Sequence, residues 1–422
     1  VSGPSTGRGR FNETLPGPKE AYVVSTKKTS QQFTDHIFHT VNRDPLWFTG
    51  GKGATLTGCD RKTYVDFFSG LAVNNLGYGH AALGKAAAAA LKKPWHSSNV
   101  FLIPTQAELA ALIQKRSFPG RSFFANSGAE ANETAYKFAI KRGRMIRGDK
   151  TELIAAKDSF HGRTMGALSL TGQPKYQDPF APFPGNARFV AFNHLAELEA
   201  AVNEKTAAVF LEPIQGESGV HVATPAYLAK ARELCDKFQA LLIYDEVQCG
   251  CARTGKLFGW EHAGVAPDGF TLAKGLASGM PIGCFTAAEA YKDVFAAGDH
   301  NSTFGGGPFV TSVALEAFKI YSKPAFLKQV VARGQDLRHG LETLRARFSA
   351  MREVRGKGLM LAMDFVPGSV STDKVRLACR AKGLLVNSIH NHILRIIPPL
   401  VITQAEIDKG LAILEQAIRD SI

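Results

Sequence analysis

The chain has 422 residues, of which 45% are hydrophobic and 21% charged, and a formal net charge of +13. It is long enough for two domains and ordinary in composition for a globular protein, and no apolar run approaches the ~20 residues of a helical membrane span. Its Lys and Arg residues are scattered, with no basic cluster interleaved with aromatics, so the charge argues for a solvated basic surface and against nucleic-acid binding. A basic compartment such as the mitochondrial matrix fits that balance, with the cytoplasm as the alternative.

Residues 1–20 are rich in Ser, Gly and Pro, carry Arg8 and Arg10, and have no amphipathic period. They read as a poorly structured arm, the remains of a targeting segment or an added end. Residues 21–72 read as an N-terminal segment that joins a smaller domain. Within it, 49–70 predicts a hairpin around Gly58–Lys62 and a strand from Tyr64 to Phe68. His80–Lys93 is Ala-rich and predicts a helix that stops at Pro94. Pro104–Lys115 predicts a second, with Thr105 as its cap and Glu108 closing a capping box.

From about residue 121 strand and helix signals alternate. RSFFANSG, TELIAAKDSF, ARFVAF, TAAVFLEPI, ALLIYDEV, GFTLAKG and IGCFTAA read as strands; GAEANETAYKFAIKRG and 225–238 read as helices. The alternation predicts a large α/β domain over 73–308, its mainly parallel sheet covered by helices on both faces. Over 309–422 the pattern changes. Helices at 309–322, 325–348, 372–382 and 403–420 interleave with strands VRGKGLMLAMDF, LLVNS and ILRIIPP, which predicts a smaller α+β domain. The six cysteines have no disulfide-framework spacing. Cys249-Gly-Cys251 lacks both the spacing and the second pair of a zinc site, so no metal is expected.

The chemistry centres on ALLIYDEVQCG (240–250). Its apolar run reads as a strand buried on both faces, ending in Asp245-Glu246-Val247-Gln248. Open α/β sheets place ligand sites at the carboxyl ends of such strands. Lys274 stands downstream in TLAKGL, between an apolar stretch and a Gly-rich turn. An acid and a lysine on neighbouring strand ends suit pyridoxal 5'-phosphate. Its aldehyde condenses with a lysine amine, and its ring nitrogen needs a carboxylate to stay protonated. Ser127-Gly128-Ala129 lies between a strand and a helix start, where small residues and a helix N-terminus suit a phosphate. The competing readings are a strand-capping acid, a surface lysine and an ordinary strand–helix turn.

SGAEAN (127–132), FHGRT (160–164), EPIQGE (212–217), DEVQ (245–248), LAKGL (272–276) and GDHNSTFGG (298–306) follow one another in this order. Together they resemble the class III (subgroup II) aminotransferases, which have the fold-type I architecture of pyridoxal-phosphate enzymes. AVNNLGYGH (72–80), SLTGQPKY (169–176) and LRIIPPLVIT (394–403) bring the chain nearest the branch that acts on N2-acetylornithine. The likeness runs from about residue 45 to the C-terminus.

The resemblance implies transfer of the terminal amino group of N2-acetylornithine to 2-oxoglutarate, a step of arginine biosynthesis. Ornithine, succinylornithine, succinyl-diaminopimelate and 4-aminobutyrate are the alternative donors. It implies a homodimer with shared active sites, Thr303 reaching the neighbouring subunit's cofactor phosphate and Ser302 helping to bind its substrate. Lys274 and Asp245 would be catalytic. Phe160 would stack on the cofactor ring, Gln248 would lie near its phenolic oxygen, and Glu246 and Val247 would join the cofactor site with Ser127, Gly128 and Ala129. Arg163 would receive the substrate's distal carboxylate. Glu217 would neutralise Arg395 until 2-oxoglutarate needs that arginine for its α-carboxylate; a plain structural ion pair is the competing reading.

Four stretches depart from the family's usual pattern: Ser218 in GESGV, CGCARTG at 249–255, Gly307 and Phe309 in GGGPF, and Ala277-Ser278 in LASGMP. None touches the acid, the lysine, the stacking Phe or the two arginines. One decoy remains. Gly250–Lys256 matches the first positions of a nucleotide-binding P-loop, but Leu257 stands where the Mg²⁺-binding hydroxyl belongs.

Overall fold

A computed structural model describes residues 26–422; the arm expected over 1–20 lies outside them. The N-terminal segment holds a helix, Thr26–His36, and strands β1 (Phe48–Lys52), β2 (Thr55–Gly58) and β3 (Thr63–Asp66), with the β2–β3 turn over Gly58–Lys62 as the sequence predicts. Strands β4 (Gly120–Ala125), β5 (Glu152–Ala156), β6 (Asn186–Val190) and β7 (Thr206–Leu211) follow, then the short pair β8 (Ile214–Gln215) and β9 (His221–Val222). Next come β10 (Leu241–Asp245), β11 (Gly269–Leu272) and β12 (Gly283–Ala288). The large sheet runs β4-β12-β11-β10-β7-β5-β6, parallel throughout except for β12.

Side-chain alternation sorts the central strands onto two faces. Leu241, Ile243, Ala208 and Phe210 pack with Ala135, Phe138 and Ala139 of helix Gly128–Ile146. Leu242, Tyr244, Val209 and Leu211 pack in the other cluster, with Tyr227, Leu228, Ala231 and Leu234 of helix Pro225–Phe238. Both faces are therefore dry, and each fully buried Leu, Ile or Val contributes about 1.5–3 kcal/mol. Odd-numbered positions of β10 face the Gly128–Ile146 helix, and that parity carries Asp245 to the same side.

The smaller sheet is antiparallel, in the order β13 (Met351–Lys357), β14 (Met360–Phe365), β17 (Ile393–Ile396) and β16 (Asn387–Ile389). VRGKGLMLAMDF is thus not one strand but the hairpin β13–β14, turned at Gly358 with φ +53°. Strand β15 (Leu384–Leu385) pairs in parallel with β3 and ties the N-terminal segment to the C-terminal part of the chain. Helix Pro308–Tyr321 packs against helices Pro104–Arg116 and Ala81–Ala90. The capping box at Thr105 does not form. Pro104 already occupies the first helical turn, and the Thr105 hydroxyl meets Thr311 Oγ1 at 2.7 Å. The segment Gly250–Gly255 is buried around Arg253, whose guanidinium donates to Leu359 O, Pro398 O and Asn75 Oδ1. It joins the two parts of the molecule and leaves no open phosphate cradle.

Candidate active site

The carboxyl ends of the central strands open into a cavity of about 450 Å³. It is lined by Ser127, Gly128, Ala129, Phe160, Arg163, Asp245, Val247, Gln248 and Lys274, so nine residues singled out in the sequence converge on one space. At its floor Asp245 meets only donors. Its Oδ2 accepts from Asn132 Nδ2 at 2.7 Å and lies 2.8 Å from His161 Nδ1; its Oδ1 accepts from Val247 N at 2.9 Å. Thr271 Oγ1 donates to Asn132 Oδ1 at 2.9 Å, which fixes the amide so that its nitrogen faces the acid. Burial works against a charge on His161, but Asp245 and, more weakly, Glu212 outweigh it and hold its pKa above the ordinary value.

Glu212 is buried beside this group and accepts backbone N–H bonds from Phe160 at 3.1 Å and Gly216 at 3.4 Å. Burial pushes its pKa up to about 8. Glu246 is the one cofactor candidate from DEVQ that does not face the cavity. The strand's alternation turns it to the opposite side, where it accepts from Gly259 N at 2.8 Å and Trp260 N at 2.9 Å and anchors that turn.

Lys274 follows β11 with φ +40°, a strained conformation for a residue with a side chain. Burial and then Arg395 hold its ammonium below the ordinary lysine pKa, against Glu217, whose Oε1 is 4.0 Å from Nζ. A lysine so held keeps more of its amine unprotonated and nucleophilic. Beyond it, Glu217 and Arg395 form a bidentate pair at 2.8 and 3.4 Å. Burial alone would raise Glu217, but Arg395 and Lys274 hold it down to about 2. Gln248 clasps the pair, donating to Glu217 Oε1 at 3.0 Å and accepting from Arg395 at 3.1 Å. A Cβ at Gly216 would meet Gln248 Oε1 at 2.1 Å, so this loop needs glycine to approach the clasp. Asn387, paired across the ladder with Arg395, accepts from its Nε at 3.1 Å and Nη2 at 2.8 Å.

At the mouth, Arg163 lies 3.8 Å from the Tyr176 ring centroid and 5.4 Å from that of Phe160. Ser302 is bonded to Asn126 of the same chain at 3.3 Å, and Thr303 is exposed outside the cavity.

The arrangement fits pyridoxal phosphate. The free first-turn N–H groups at Gly128 and Ala129 begin a helix of 19 residues capped by Ser127, and Gly128 leaves its space open to Val247. An acid held by donors lies at the far end and a pKa-depressed lysine between them. The chain matches the family described as Aminotransferase class-III over residues 38–418.

The chain belongs to the class III aminotransferases.

Among relatives of this aminotransferase, acetylornithine aminotransferase of Caldanaerobacter subterraneus subsp. tengcongensis is 44% identical, covering 91% of this chain and 98% of that one. The protein of the same name from Synechocystis sp. is 41% identical, covering 92% of each. Among solved structures, N-acetylornithine aminotransferase from Stenotrophomonas maltophilia K279a superposes with a TM-score of 0.79 at 34% identity, covering 90% of this chain and 97% of that one. Ornithine aminotransferase from Toxoplasma gondii ME49 superposes with a TM-score of 0.89 at 28% identity, covering 94% and 95%.

Sequence reasoning passed over Asn132, His161, Glu212, Thr271 and Asn387 in this aminotransferase. The first three stand inside the quoted motifs SGAEAN, FHGRT and EPIQGE. Residues flanking a chosen site residue inside a motif were the available signal. Thr271 opens the quoted TLAKGL and carried the same signal; Asn387 had none, because only strand pairing brings it to Arg395.

Proposed function

We propose that this pyridoxal-phosphate aminotransferase moves the terminal amino group of N2-acetylornithine to 2-oxoglutarate, giving N-acetylglutamate 5-semialdehyde and glutamate. The observation that carries the reading is the position of Lys274 between two unlike carboxylates, Asp245 held by donors and Glu217 held by Arg395. The relatives named acetylornithine aminotransferase support the donor.

When bound, the cofactor supplies an aldehyde for amino groups and a ring that delocalises the charge left on a deprotonated carbon. Gly128, Ala129 and the helix N-terminus would hold its phosphate, Phe160 and Val247 its ring, and Asp245 its ring nitrogen. Lys274 Nζ would link to that aldehyde and, when free, would take the proton from the amine-bearing carbon as general base and deliver it as general acid to the carbon that had been the aldehyde's. Arg163 receives the carboxylate distal to the reacting carbon in both substrates. While the donor is bound, Glu217 neutralises Arg395; when 2-oxoglutarate enters, the pair opens and Arg395 takes the α-carboxylate.

A donor panel with 2-oxoglutarate, reading glutamate formation, tests this. N2-acetylornithine should exceed ornithine, succinylornithine and 4-aminobutyrate by at least ~10-fold in kcat/KM, or ~1.4 kcal/mol. The likeness to ornithine aminotransferases makes ornithine the second reading, and a reversed ratio would establish it.

The active unit of this proposal is a homodimer. Trp95, Val100, Phe101, Leu102 and Phe304 are exposed apolar side chains next to the Ser302–Thr303 loop, which Asn99 holds through Ser302 O and Gly305 O. A patch of this kind supports a protein contact, one that would carry Thr303 to a neighbour's cofactor phosphate. Mixing Lys274→Ala with Thr303→Ala chains should then restore one intact site per mixed dimer. A fully active monomer in sedimentation would contradict it.

A further inference from the structure

Behind the loop that carries Glu217, a second cleft of about 520 Å³ lies between the two sheets. Its walls come from the turn after β5 (Lys157, Asp158), the turn after β6 (Asn193), the Glu217 loop (Gln215, Ser218, His221) and the smaller domain (Arg352, Asp364, His390, His392). The mechanism uses none of these residues.

Three features mark it as a built site. Asp364 is 1% exposed and lines the cleft; its Oδ2 accepts from Arg352 and Arg355, but its Oδ1 has no donor among the described residues. A buried carboxylate oxygen left without a donor is destabilising, and a ligand bearing N–H groups would relieve it. Second, His390 and Asn391 have φ of +51° and +56°, and Asn391 Oδ1 accepts from Ser371 Oγ and Asp373 N. A strained turn is thus pinned so that His390 and His392 face the cleft. Third, both signs of charge line it: Asp158 and Asp364 as acids, Lys157 and Arg352 as cations. Burial and neighbouring cations hold His221 and His390 below the ordinary pKa, so at neutral pH they offer lone pairs rather than charge.

A cationic head with several N–H donors suits the acids and the neutral imidazoles, and a carboxylate suits Arg352 and Lys157. We infer that this cleft binds a basic α-amino acid and that the bound molecule acts on the Glu217 loop. The link is short. Arg355 is held by Asp364 and donates from Nε to Gly219 O at 2.8 Å, two residues after Glu217. A ligand on Asp364 therefore bears on the backbone that sets whether the Glu217–Arg395 pair opens. By thermodynamic linkage, 2-oxoglutarate must in turn alter the ligand's affinity by the same factor.

L-arginine is the probe, titrated calorimetrically into the cofactor-loaded enzyme, with amide hydrogen exchange to locate it. The expected result is saturable binding with protection of 389–393 and 215–221, a change of at least ~3-fold in the KM for 2-oxoglutarate, and a smaller effect on the donor. Asp158→Asn, at an exposed position whose φ of +63° asparagine tolerates, should weaken binding at least ~10-fold and leave basal turnover unchanged. His390→Ala should weaken it as well, and neither variant puts the core at risk as Asp364→Asn would. No binding at tens of millimolar, protection confined to the cavity around Lys274, or binding indifferent to both variants would overturn the inference. These outcomes are independent of the donor panel, which tests the proposed reaction.

Discussion

The two ends of the active site hold their carboxylates in opposite ways. Asp245 sits on the large sheet, fixed by the backbone of Val247 and by Asn132 and His161 from the same layer. Glu217 sits on a loop and is held by Arg395, which stands on the smaller sheet. The first acid cannot lose its partners without disturbing the core. The second can, because its partner belongs to another part of the molecule and its loop contains glycines at 216 and 219. The same contrast separates Glu212 from Glu217 on one stretch of chain: burial outweighs the nearby His161 and pushes the first up to about 8, and a guanidinium with an ammonium holds the second down to about 2. A fixed charge suits a task common to every turnover, and a releasable one suits a task needed for one substrate only.

The sharpest probes act on what both ends share. Lys274→Ala should remove at least ~10³-fold of the rate together with the absorbance of the lysine-linked cofactor, because nucleophile and proton carrier are lost at once. Full turnover with an unchanged spectrum would end the assignment. Asp245→Asn should slow both half-reactions by ~10²-fold or more, the scale of losing a preorganised electrostatic contact. Arg395→Ala should slow the 2-oxoglutarate half by ~10²-fold or more and leave the acetylornithine half within ~5-fold. Single-turnover spectra read the two halves separately, and equal damage by Arg395→Ala would erase the distinction between a fixed and a releasable acid.

Smaller effects sharpen the picture. Arg163→Ala should slow both halves, whereas Tyr176→Leu, which removes only the ring beneath the guanidinium, should cost each about 2–5-fold, consistent with a cation–π contact of ~0.5–1 kcal/mol. Stability against pH gives the gentlest test. Glu217 is ionised in the folded chain well below its ordinary 4.5, so its pairing stabilises the fold above about pH 4.5 and is lost as pH falls toward 2. Glu212 runs the other way. The folded chain retains a proton that the unfolded chain has released, so stability falls as pH rises from about 4.5 to about 8. Arg395→Met should flatten the acid limb in denaturant titrations, and Glu212→Gln the limb between pH 5 and 8. Matching slopes in all three proteins would show that the two glutamates do not differ.

Much of this was legible beforehand. Ser127, the apolar run into Asp245 and the Gly-rich turn after Lys274 each announce themselves, because capping, burial on both faces and turn chemistry are properties of a few consecutive residues. Where local rules competed they misled. Thr105 promised a cap that Pro104 pre-empted, and the Gly356–Gly358 stretch hid a hairpin inside what read as one strand. Glu246 was placed in the cofactor site with the rest of DEVQ, yet neighbours along an extended chain send their side chains to opposite faces.

By itself, then, the sequence determined the fold class, the large parallel sheet and the identities of the lysine, acids and arginines, since each rests on local pattern or on motifs in order. Only the tertiary structure decided what each charge feels. Asn132 reaches Asp245 across 113 positions and Arg395 reaches Glu217 across 178. The same is true of the cleft at Asp364, whose walls come from both sheets. A pKa depends on distance in space through a poorly screening interior, and no window of consecutive residues contains that distance.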